Sequence, residues 1–314
     1  GCYLLVSEEK FWPLKVTVLG SQGAIPKVGL FSTSLLLNVC NSNILIDCCE
    51  GVQHQLRKNK IKFSKIEIIL ISHAHGDHYF GLIGLISTLS LLKRDKKLTV
   101  FCPLSVFKII QAHLKFSKMN LSYELDLKVL NNTSKINIFN NNHFSIEAFP
   151  LKHSIYTNGF LIREKEKKRK LILKKALDKN INKIYFNKLT KRENVINDKG
   201  VEINYLDVTK EGDRPKSFAY CSDTAYFEEL IKNIQGVDLL YCETTFLKKD
   251  KDKASLTLHS TTIDAATLAK KGKVKQLLIG HFSSRYDDYN DFISEVVTIF
   301  KNVVISEEGK KIEV

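Results

Sequence analysis

The residues with the clearest chemical potential form one short stretch of the chain. His73, His75, Asp77 and His78 fall within six consecutive positions. Imidazole and carboxylate groups suit Zn(II), with Mn(II) and Fe(II) as weaker competitors. A tight turn can send alternate side chains in two directions, so that the first two histidines face one ion and the last two residues face a second. Two adjacent ions can stabilise the attacking and leaving oxygens of a phosphoryl displacement. A solvated polar turn is the alternative, but HxHxDH after a strand is far more specific than a lone histidine.

The flanking sequence places this stretch where a strand gives way to a helix. Residues 66–71 are apolar and β-branched apart from Glu67, which predicts a buried strand, and residues 81–89 predict a helix. Strand–helix alternation recurs in both halves of the chain, with a further helix predicted at 225–234. Other candidate groups also follow predicted strands or open a helix, namely His153, Asp223, Glu243, His259 and His281. This arrangement is typical of a metal site along one edge of a sandwich.

Length and composition limit the class of protein. The 314 residues suffice for one large domain or two small ones, and a hydrophobic content of 44% supports a real core. An apolar run of about 18 residues is missing, so we expect no transmembrane span. Residues 1–13 lack the layout of a secretory signal and are left out of the fold prediction. Seven cysteines without a CxxC pair predict a reducing, cytoplasmic location and no disulfide framework.

The basic charge is concentrated in one segment. Residues 163–199 contain 14 Lys/Arg and 5 Asp/Glu, which is +9 of the total net charge of +14. Such a charge suggests an acidic partner such as nucleic acid. Uniform compositional drift towards lysine is the alternative, but drift would not concentrate charge in this way. We interpret the segment as an inserted, exposed arm with some helix or hairpin. Its scattered apolar residues argue against a fully disordered loop.

The motifs, in their order along the chain, resemble those of the ribonuclease Z family, the tRNA 3′-end endonucleases of the metallo-β-lactamase superfamily. They are SHAHGDHYFGLIGL, PLKH, AYCSDT, YCETTF, HST and IGHFSSRY. The resemblance covers about residues 14–314 and is to the short, single-domain form. It implies an α/β fold, the metallo-β-lactamase-type αβ/βα four-layer sandwich. It also implies one domain over 1–314, with a tRNA-binding arm inserted at 163–199.

The resemblance implies a dinuclear centre with two zinc ions per subunit. One ion would be held by His73, His75 and His153, and the other by Asp77, His78 and His281. Asp223 would bridge both ions, which suits a carboxylate because it has two oxygens. Asp77 would also accept a proton from the attacking water.

Further residues acquire roles from the same resemblance. His259 would approach the scissile phosphate and help to protonate the leaving oxygen, and Glu243 would orient His259. Ser283, Arg285 and Tyr286 would line the site near the phosphate or the tRNA end. In the arm, the candidates for RNA contact are Lys167, Lys168, Arg169 and Lys170. A basic arm would grip phosphates without reading sequence.

The activity implied is endonucleolytic removal of 3′ trailers from precursor tRNA, leaving a 3′-hydroxyl on the tRNA. The family also implies a homodimer in which the arm of one subunit reaches RNA bound at the other. Two alternatives remain: a small-substrate phosphodiesterase or other hydrolase of the same superfamily, and a non-catalytic RNA-binding relative. The basic arm argues against the first alternative, and the full set of ligand residues argues against the second.

One turn departs from the family pattern. Asp47-Cys48-Cys49-Glu50-Gly51 stands where relatives usually have Asp-Cys-Gly-Glu-Gly. The turn must therefore accommodate a Cβ at Cys49, with backbone strain if φ there is positive.

Overall fold

Two seven-stranded sheets carry the fold in the computed structural model, which describes residues 12–314. The secretory-signal prediction thus lies almost entirely outside the described residues. The strands are β1 (Lys15–Gly20), β2 (Ser34–Val39), β3 (Ser42–Ile46), β4 (Ile66–Leu70), β5 (Leu98–Pro103), β6 (Leu125–Leu130), β7 (Ile136–Asn140), β8 (Phe144–Pro150), β9 (Asn158–Glu164), β10 (Lys170–Leu171), β11 (Val195–Ile196), β12 (Glu202–Ile203), β13 (Thr209–Lys210), β14 (Ser217–Cys221), β15 (Leu239–Glu243), β16 (Gln276–Gly280), β17 (Val303–Ile305) and β18 (Lys311–Glu313).

Helices connect most of the parallel strands. The α-helices are α1 (Val52–Lys58), α2 (Gly76–Leu91), α3 (Leu104–Phe116), α4 (Leu173–Asp178), α5 (Phe186–Thr190), α6 (Tyr205–Val208), α7 (Ile231–Ile234), α8 (Lys251–Thr257), α9 (Thr262–Lys271) and α10 (Asn290–Val296). Short 3₁₀ helices occupy Phe63–Lys65, Lys183–Tyr185, Glu228–Leu230 and Lys248–Asp250. The helix predicted at 225–234 is wrong for its first three residues. The chain at residue 225 is instead held against the loop that contains Lys152. The amide of Ala225 donates to the carbonyl of Lys152 at 2.8 Å.

Each sheet combines a parallel part with an antiparallel part. The first has the order β18-β1-β2-β3-β4-β5-β6, with parallel pairing from β3 to β6. The second has the order β17-β16-β15-β14-β9-β8-β7, with parallel pairing from β14 to β17. Parallel neighbours bring their carboxyl ends to one edge of a sheet, and ligands of open α/β sheets bind at that edge.

Three apolar clusters divide this body into four layers. The central cluster contains residues of both sheets, such as Val18 and Tyr220. A second cluster packs α7, α8, α9 and α10 on the outer face of the second sheet. A third packs α1, α2 and α3 on the outer face of the first sheet. The order helix, sheet, sheet, helix confirms the predicted αβ/βα sandwich.

The chain divides into two compact units. Among the described residues, the sandwich comprises 12–140 together with 144–163 and 216–314, and the second unit comprises 141–143 and 164–215. The second unit contains the β10–β13 and β11–β12 pairs and helices α4, α5 and α6. It has its own small core, which includes Phe186, Leu189 and Val208. Over its residues it carries 15 Lys/Arg and 9 Asp/Glu, a net charge of +6.

The left-handed backbone positions of the Asp47–Gly51 turn do not include Cys49. Cys49 is not among the residues with positive φ, whereas Asp47 has φ 55° and Gly51 has φ 75°. The Cβ of Cys49 is therefore accommodated without left-handed backbone. An Asp side chain tolerates the left-handed region better than most residues do.

Candidate metal centre

The predicted ligands converge at the carboxyl ends of strands in both sheets. The His73–His78 stretch follows β4, and His75 is the N-cap of α2 with extended backbone (φ −72°, ψ 140°). Asp223 follows β14 and His281 follows β16, while His153 lies just after β8. A hydrogen bond of 3.0 Å from the amide of Asn158 to the carbonyl of Ser72 joins this turn to the second sheet.

The first ligand group is formed by His73, His75, His153 and Asp223. The Nδ1 atom of His75 lies 3.1 Å from Nε2 of His73 and 3.2 Å from Nε2 of His153. Oδ2 of Asp223 lies 3.4 Å and 3.7 Å from the same two Nε2 atoms. Neighbouring ligands in a tetrahedron with zinc–nitrogen bonds of about 2.05 Å are roughly 3.3 Å apart. The donor atoms therefore fit a single tetrahedral ion.

The second ligand group is formed by Asp77, His78 and His281, with the other oxygen of Asp223 beside it. Oδ2 of Asp77 lies 3.2 Å from Nε2 of His78 and 3.4 Å from Nε2 of His281. Oδ1 of Asp223 lies 3.5 Å and 3.2 Å from these two nitrogens. One carboxylate thus faces both groups, with one oxygen towards each.

Four imidazoles are fixed through their Nδ1 atoms. In each case an oxygen accepts the Nδ1 proton, which leaves the Nε2 lone pair free for a cation. The four pairs are His73 with Ser72 Oγ at 2.9 Å, His78 with Asp47 Oδ2 at 2.7 Å, His153 with the carbonyl of Leu258 at 3.0 Å and His281 with Thr245 Oγ1 at 2.8 Å. Ser72 and Thr245 can accept these protons because their own hydroxyls donate to carboxylates, those of Asp47 and Glu243.

The burial of these groups favours cation binding. Within the described part of the chain, Nε2 of His78 and Oδ1 of Asp223 are fully buried and have no hydrogen-bond partner. A buried polar atom without a partner is costly, and a metal ion is one way to satisfy it. Burial lowers the pKa of His73 to about 4, so its imidazole is neutral and able to bind a metal. Burial would raise the pKa of Asp223, but the imidazoles of His281 and His78 hold it well below its usual range.

His259 and Glu243 lie against each other beside the ligand groups. Oε1 of Glu243 accepts from Nδ1 of His259 at 2.9 Å and from the amide of Ser260 at 2.9 Å. Burial lowers the pKa of His259, but the Glu243 carboxylate outweighs it and raises this pKa to about 9. The His259 ring is stacked on that of His281, with centroids 5.4 Å apart. His259 can therefore reach a substrate phosphate held at the ligand groups.

The predicted phosphate-lining residues after His281 differ in exposure. Ser283 is partly buried, and Arg285 is exposed with its guanidinium 5.2 Å from the ring centre of Phe246. Tyr286 is 7% exposed, and its hydroxyl accepts from the amide of Leu247 at 3.1 Å while donating to Asp250. Arg285 is thus accessible to a substrate, whereas the Tyr286 hydroxyl is already engaged within the sandwich.

The four predicted RNA contacts in the second unit also differ. Lys168 is exposed, and Lys167 is paired with Glu164 at 3.0 Å. Lys170 pairs with Asp213 at 2.6 Å. Arg169 is 7% exposed, and its guanidinium binds Thr209 and Glu211 and lies 5.5 Å from the Tyr205 ring centre. Arg169 therefore stabilises its own unit, and Lys168 is the freest of the four.

Two residues of the centre were missed by sequence reasoning. The carboxylate of Asp47 accepts from the amide and hydroxyl of Ser72, from His78 and from the hydroxyl of Tyr220. Thr245 links Glu243 to His281. The position of Asp47 directly after an apolar strand was the available signal, because the other candidate ligands share that position.

The sequence is similar to ribonuclease Z proteins along almost its whole length. It is 37% identical to a ribonuclease Z of Phocaeicola vulgatus over 98% of both chains. It is 39% identical to one of Cytophaga hutchinsonii over 93% of both chains. The chain belongs to the ribonuclease Z family. It is therefore a metal-dependent hydrolase of the endoribonuclease type, and the family resemblance of its motifs is confirmed.

Further similarities are to one family model and to solved structures. Residues 14–202 match the family model described as anti-Pycsar protein Apyc1, so this part of the chain belongs to that family also. The crystal structure of human tRNase Z, short form, is similar with a TM-score of 0.71 and 25% identity, covering 95% of this chain and 98% of that one. The metallo-β-lactamase fold protein YhfI of Bacillus subtilis shares the fold, with a TM-score of 0.68 and 18% identity over 96% of this chain and all of the other.

No helix among residues 12–314 is long and apolar enough to cross a membrane.

Proposed function

We propose that this ribonuclease Z family chain cuts precursor tRNA endonucleolytically, removes the 3′ trailer and leaves a 3′-hydroxyl on the tRNA. The observation that carries the proposal is the pair of ligand groups that share Asp223, since paired metal sites suit phosphodiester hydrolysis. The similarity to human tRNase Z over nearly the whole chain supports the choice of substrate.

Two zinc ions per subunit are the proposed cofactors. His73, His75 and His153 would hold one ion, Asp77, His78 and His281 the other, and Asp223 both. The nitrogen-rich donor set favours zinc over magnesium or calcium, which prefer oxygen ligands. When bound, the ions would supply Lewis-acid stabilisation of the negative charge that develops on the reacting phosphate.

The side chains of the chain would move the protons. Asp77 would accept a proton from the attacking water, because its carboxylate lies beside His78 and His281 at the second ligand group. Burial would raise the pKa of this carboxylate, but His78 lowers it below its usual range, so the carboxylate is ionised. His259 would donate a proton to the leaving 3′ oxygen of the tRNA. Glu243 would hold the His259 ring through its Nδ1 atom, so that Nε2 points away from the Glu243 carboxylate.

The basic second unit is proposed to grip the tRNA outside the metal centre. The exposed lysines and Lys168 in particular would contact phosphates, and Arg285 would contact the RNA end near the metals. We also propose a homodimer, in which this unit of one subunit serves RNA bound at the other. A cytoplasmic location is proposed as well, since five cysteines, Cys48, Cys49, Cys102, Cys221 and Cys242, are buried thiols without a disulfide bond, which suits a reducing compartment.

Replacing Asp77 tests the proposed reaction. Asp77→Ala is expected to abolish cleavage of a precursor tRNA while largely sparing tRNA binding, because the residue acts at the reacting phosphate. Asp252→Ala, which removes an exposed carboxylate of α8, is the matched control and should cleave normally. Undiminished cleavage by Asp77→Ala would contradict the proposed mechanism.

Metal content and small substrates separate the two alternative functions. A protein that binds two metal ions and hydrolyses small phosphodiesters, but leaves precursor tRNA intact, would be a small-substrate hydrolase. A protein that binds tRNA but neither metal nor small diesters would be a non-catalytic RNA-binding relative. The proposal requires metal binding and precursor tRNA cleavage together.

A further inference from the structure

A second concentration of positive charge lies on the sandwich itself. Residues 57–65 and 92–97 carry nine Lys/Arg and one acidic residue, Asp95. The two segments meet at a half-open cleft of about 450 Å³ beside the carboxyl ends of α1 and α2. We call this the basic cleft; the residues that matter are Arg57, Lys60, Lys62, Phe63, Leu92 and Arg94.

The cleft has a fixed frame. Arg94 is 5% exposed, and its guanidinium donates to the carbonyls of Lys96, Ser64 and Lys97 at 2.6, 3.3 and 2.9 Å. These bonds tie the loop after α2 to the 3₁₀ turn after α1. Phe63 is buried and forms an apolar part of the lining. The backbone of the cleft is therefore preorganised. The Arg94 guanidinium holds this backbone in place and is not the group that we expect to bind a ligand.

Three cations at the cleft have no acidic partner among residues 12–314. In the described structure, no carboxylate lies within ion-pair distance of Arg57, Lys60 or Lys62, and all three are exposed. The guanidinium carbon of Arg57 lies over the Phe63 ring, 5.1 Å from its centre. Lys97 nearby shows the contrast, because it pairs with Glu124 and Asp126. Unpaired like charges around one cleft repel each other, and an anionic partner would relieve that repulsion.

The cleft lies at the far end of the helix that begins at the metal centre. α2 has 16 residues and is thus about 24 Å long at about 1.5 Å per residue. Its first turn carries Asp77 and His78, and its last turn and C-cap contribute Leu89 and Leu92 to the cleft. A ligand in the cleft therefore lies about one helix length from the site of cleavage.

We propose that the basic cleft binds the phosphate backbone of the RNA substrate, about 24 Å from the scissile bond. This inference rests on the proposed function, because it assigns the cleft to the same substrate. Three flexible cations along one cleft suit repeated phosphates, which they grip without reading sequence. An RNA held at the metal centre is an anion long enough to reach the cleft while it is being cut. This contact would be made by the sandwich and would add to the contacts made by the second unit.

A triple neutralisation tests this contact. Arg57→Ala/Lys60→Ala/Lys62→Ala is expected to raise the KM for precursor tRNA about tenfold or more with little change in kcat, and to lower the slope of log affinity against log salt by about 3. Lys232→Ala/Lys270→Ala/Lys301→Ala removes the same charge from other exposed positions and should change neither quantity as much. Hydrolysis of bis(p-nitrophenyl) phosphate should be unchanged in both variants. The charge-preserving variant Arg57→Lys/Lys60→Arg/Lys62→Arg should restore most of the RNA affinity.

The opposite results would overturn the inference. If the cleft triple variant equals the control triple variant in KM and salt slope, the cleft does not bind the RNA, and an acidic protein partner becomes the better assignment. A parallel loss of small-diester hydrolysis would show damage to the fold rather than a lost contact. Failure of the wild-type protein to cut precursor tRNA would instead contradict the proposed function. Direct binding of a catalytically inert RNA stem, compared between the two triple variants, would then still decide whether the cleft takes RNA.

Discussion

At the residue scale, a single carboxylate organises much of the metal centre. Asp47 is fully buried and accepts from Ser72, His78 and Tyr220. It holds the His78 ring directly, and it holds His73 indirectly because the Ser72 hydroxyl that it accepts faces His73. Its backbone is left-handed, with φ 55°. Residues that orient metal ligands through hydrogen bonds contribute to the metal affinity of the site.

Replacing Asp47 by asparagine should weaken metal binding without unfolding the turn. Asparagine tolerates left-handed backbone but carries no charge, so Asp47→Asn is expected to lower metal affinity about 10- to 100-fold. Competition with a chelating dye would measure this, and activity should recover at higher zinc concentration. Tyr220→Phe removes another bond to the same carboxylate and should have a smaller effect. Equal metal affinity in Asp47→Asn and wild type would contradict the orienting role.

The His259–Glu243 pair should behave as one unit in catalysis. His259→Ala is expected to lower kcat for precursor tRNA by about 10²- to 10⁴-fold, the usual range for a lost proton donor, with metal content unchanged. Glu243→Gln should lower kcat as well, because its bond to His259 is weakened. The double variant should be no worse than His259→Ala, since residues that act together are not additive. Multiplied losses in the double variant would show that Glu243 acts independently of His259.

At the scale of elements, strand ends and helix starts position the chemistry. The Asp47–Gly51 turn after β3 is bound to the first turns of α2, where the amide of Cys48 donates to the carbonyl of His78 at 2.7 Å. The amide of Gly81 returns a bond to the carbonyl of Cys48 at 3.0 Å. Close approach of the turn requires glycine at 81, because a Cβ there would lie 2.0 Å from the carbonyl oxygen of Cys49. Helix α2 and the turn of Asp47 are thus coupled through backbone contacts.

Two glycines of α2 give a matched test of this coupling. Gly81→Ala should destabilise the protein by about 1–3 kcal/mol, since the added Cβ meets backbone that cannot move freely. Gly84→Ala, one turn later in the same helix, meets only the end of the Gln53 side chain at 3.0 Å and should be neutral or stabilising by up to about 1 kcal/mol. Denaturant unfolding of both variants measures the difference. Equal stability of the two would mean that the turn and the helix are not tightly packed.

The metal-ligand motifs were predictable from sequence, whereas the residues that hold the ligands in place were not. HxHxDH lies within one turn, so its spacing alone predicted that its side chains face two metal ions. His153, Asp223 and His281 were found because strand ends and a family resemblance pointed to them. Asp47 was missed because its partners include Tyr220, which is 173 positions away and becomes a neighbour only when the two sheets pack. The helix predicted at 225–234 begins late for the same reason, since residue 225 is held by a distant loop.

At the scale of the whole molecule, the second unit is an insertion between paired strands. Arg163 of β9 and Ser217 of β14 are register partners, so the chain leaves and re-enters the sandwich at one point. The charge pattern predicted a basic segment at 163–199, and the compact unit runs on to residue 215, where acidic residues pair with several of its cations. The end of the unit at residue 215 could not be predicted from sequence, because the pairing of charges depends on the folded unit.

Removing the second unit should separate RNA binding from chemistry. Replacing residues 165–215 with a short Gly/Ser linker is sterically feasible because β9 and β14 are adjacent antiparallel strands. We expect precursor tRNA cleavage to fall far more than hydrolysis of bis(p-nitrophenyl) phosphate, because only the RNA needs a second basic surface. Steady-state kinetics on both substrates measures the ratio. Equal losses on the two substrates would contradict the clamping role.

Cleavage of an end-labelled precursor tRNA with a 3′ trailer, with and without a chelator, is the most direct assay of the proposed activity. Mapping the product end identifies the bond that is cut, and adding zinc back tests the cofactor. We expect a single cut just after the discriminator base, which leaves a 3′-hydroxyl, is lost on chelation and returns with zinc. An intact RNA in the presence of protein with two bound metal ions, or a cut that survives chelation, would contradict it.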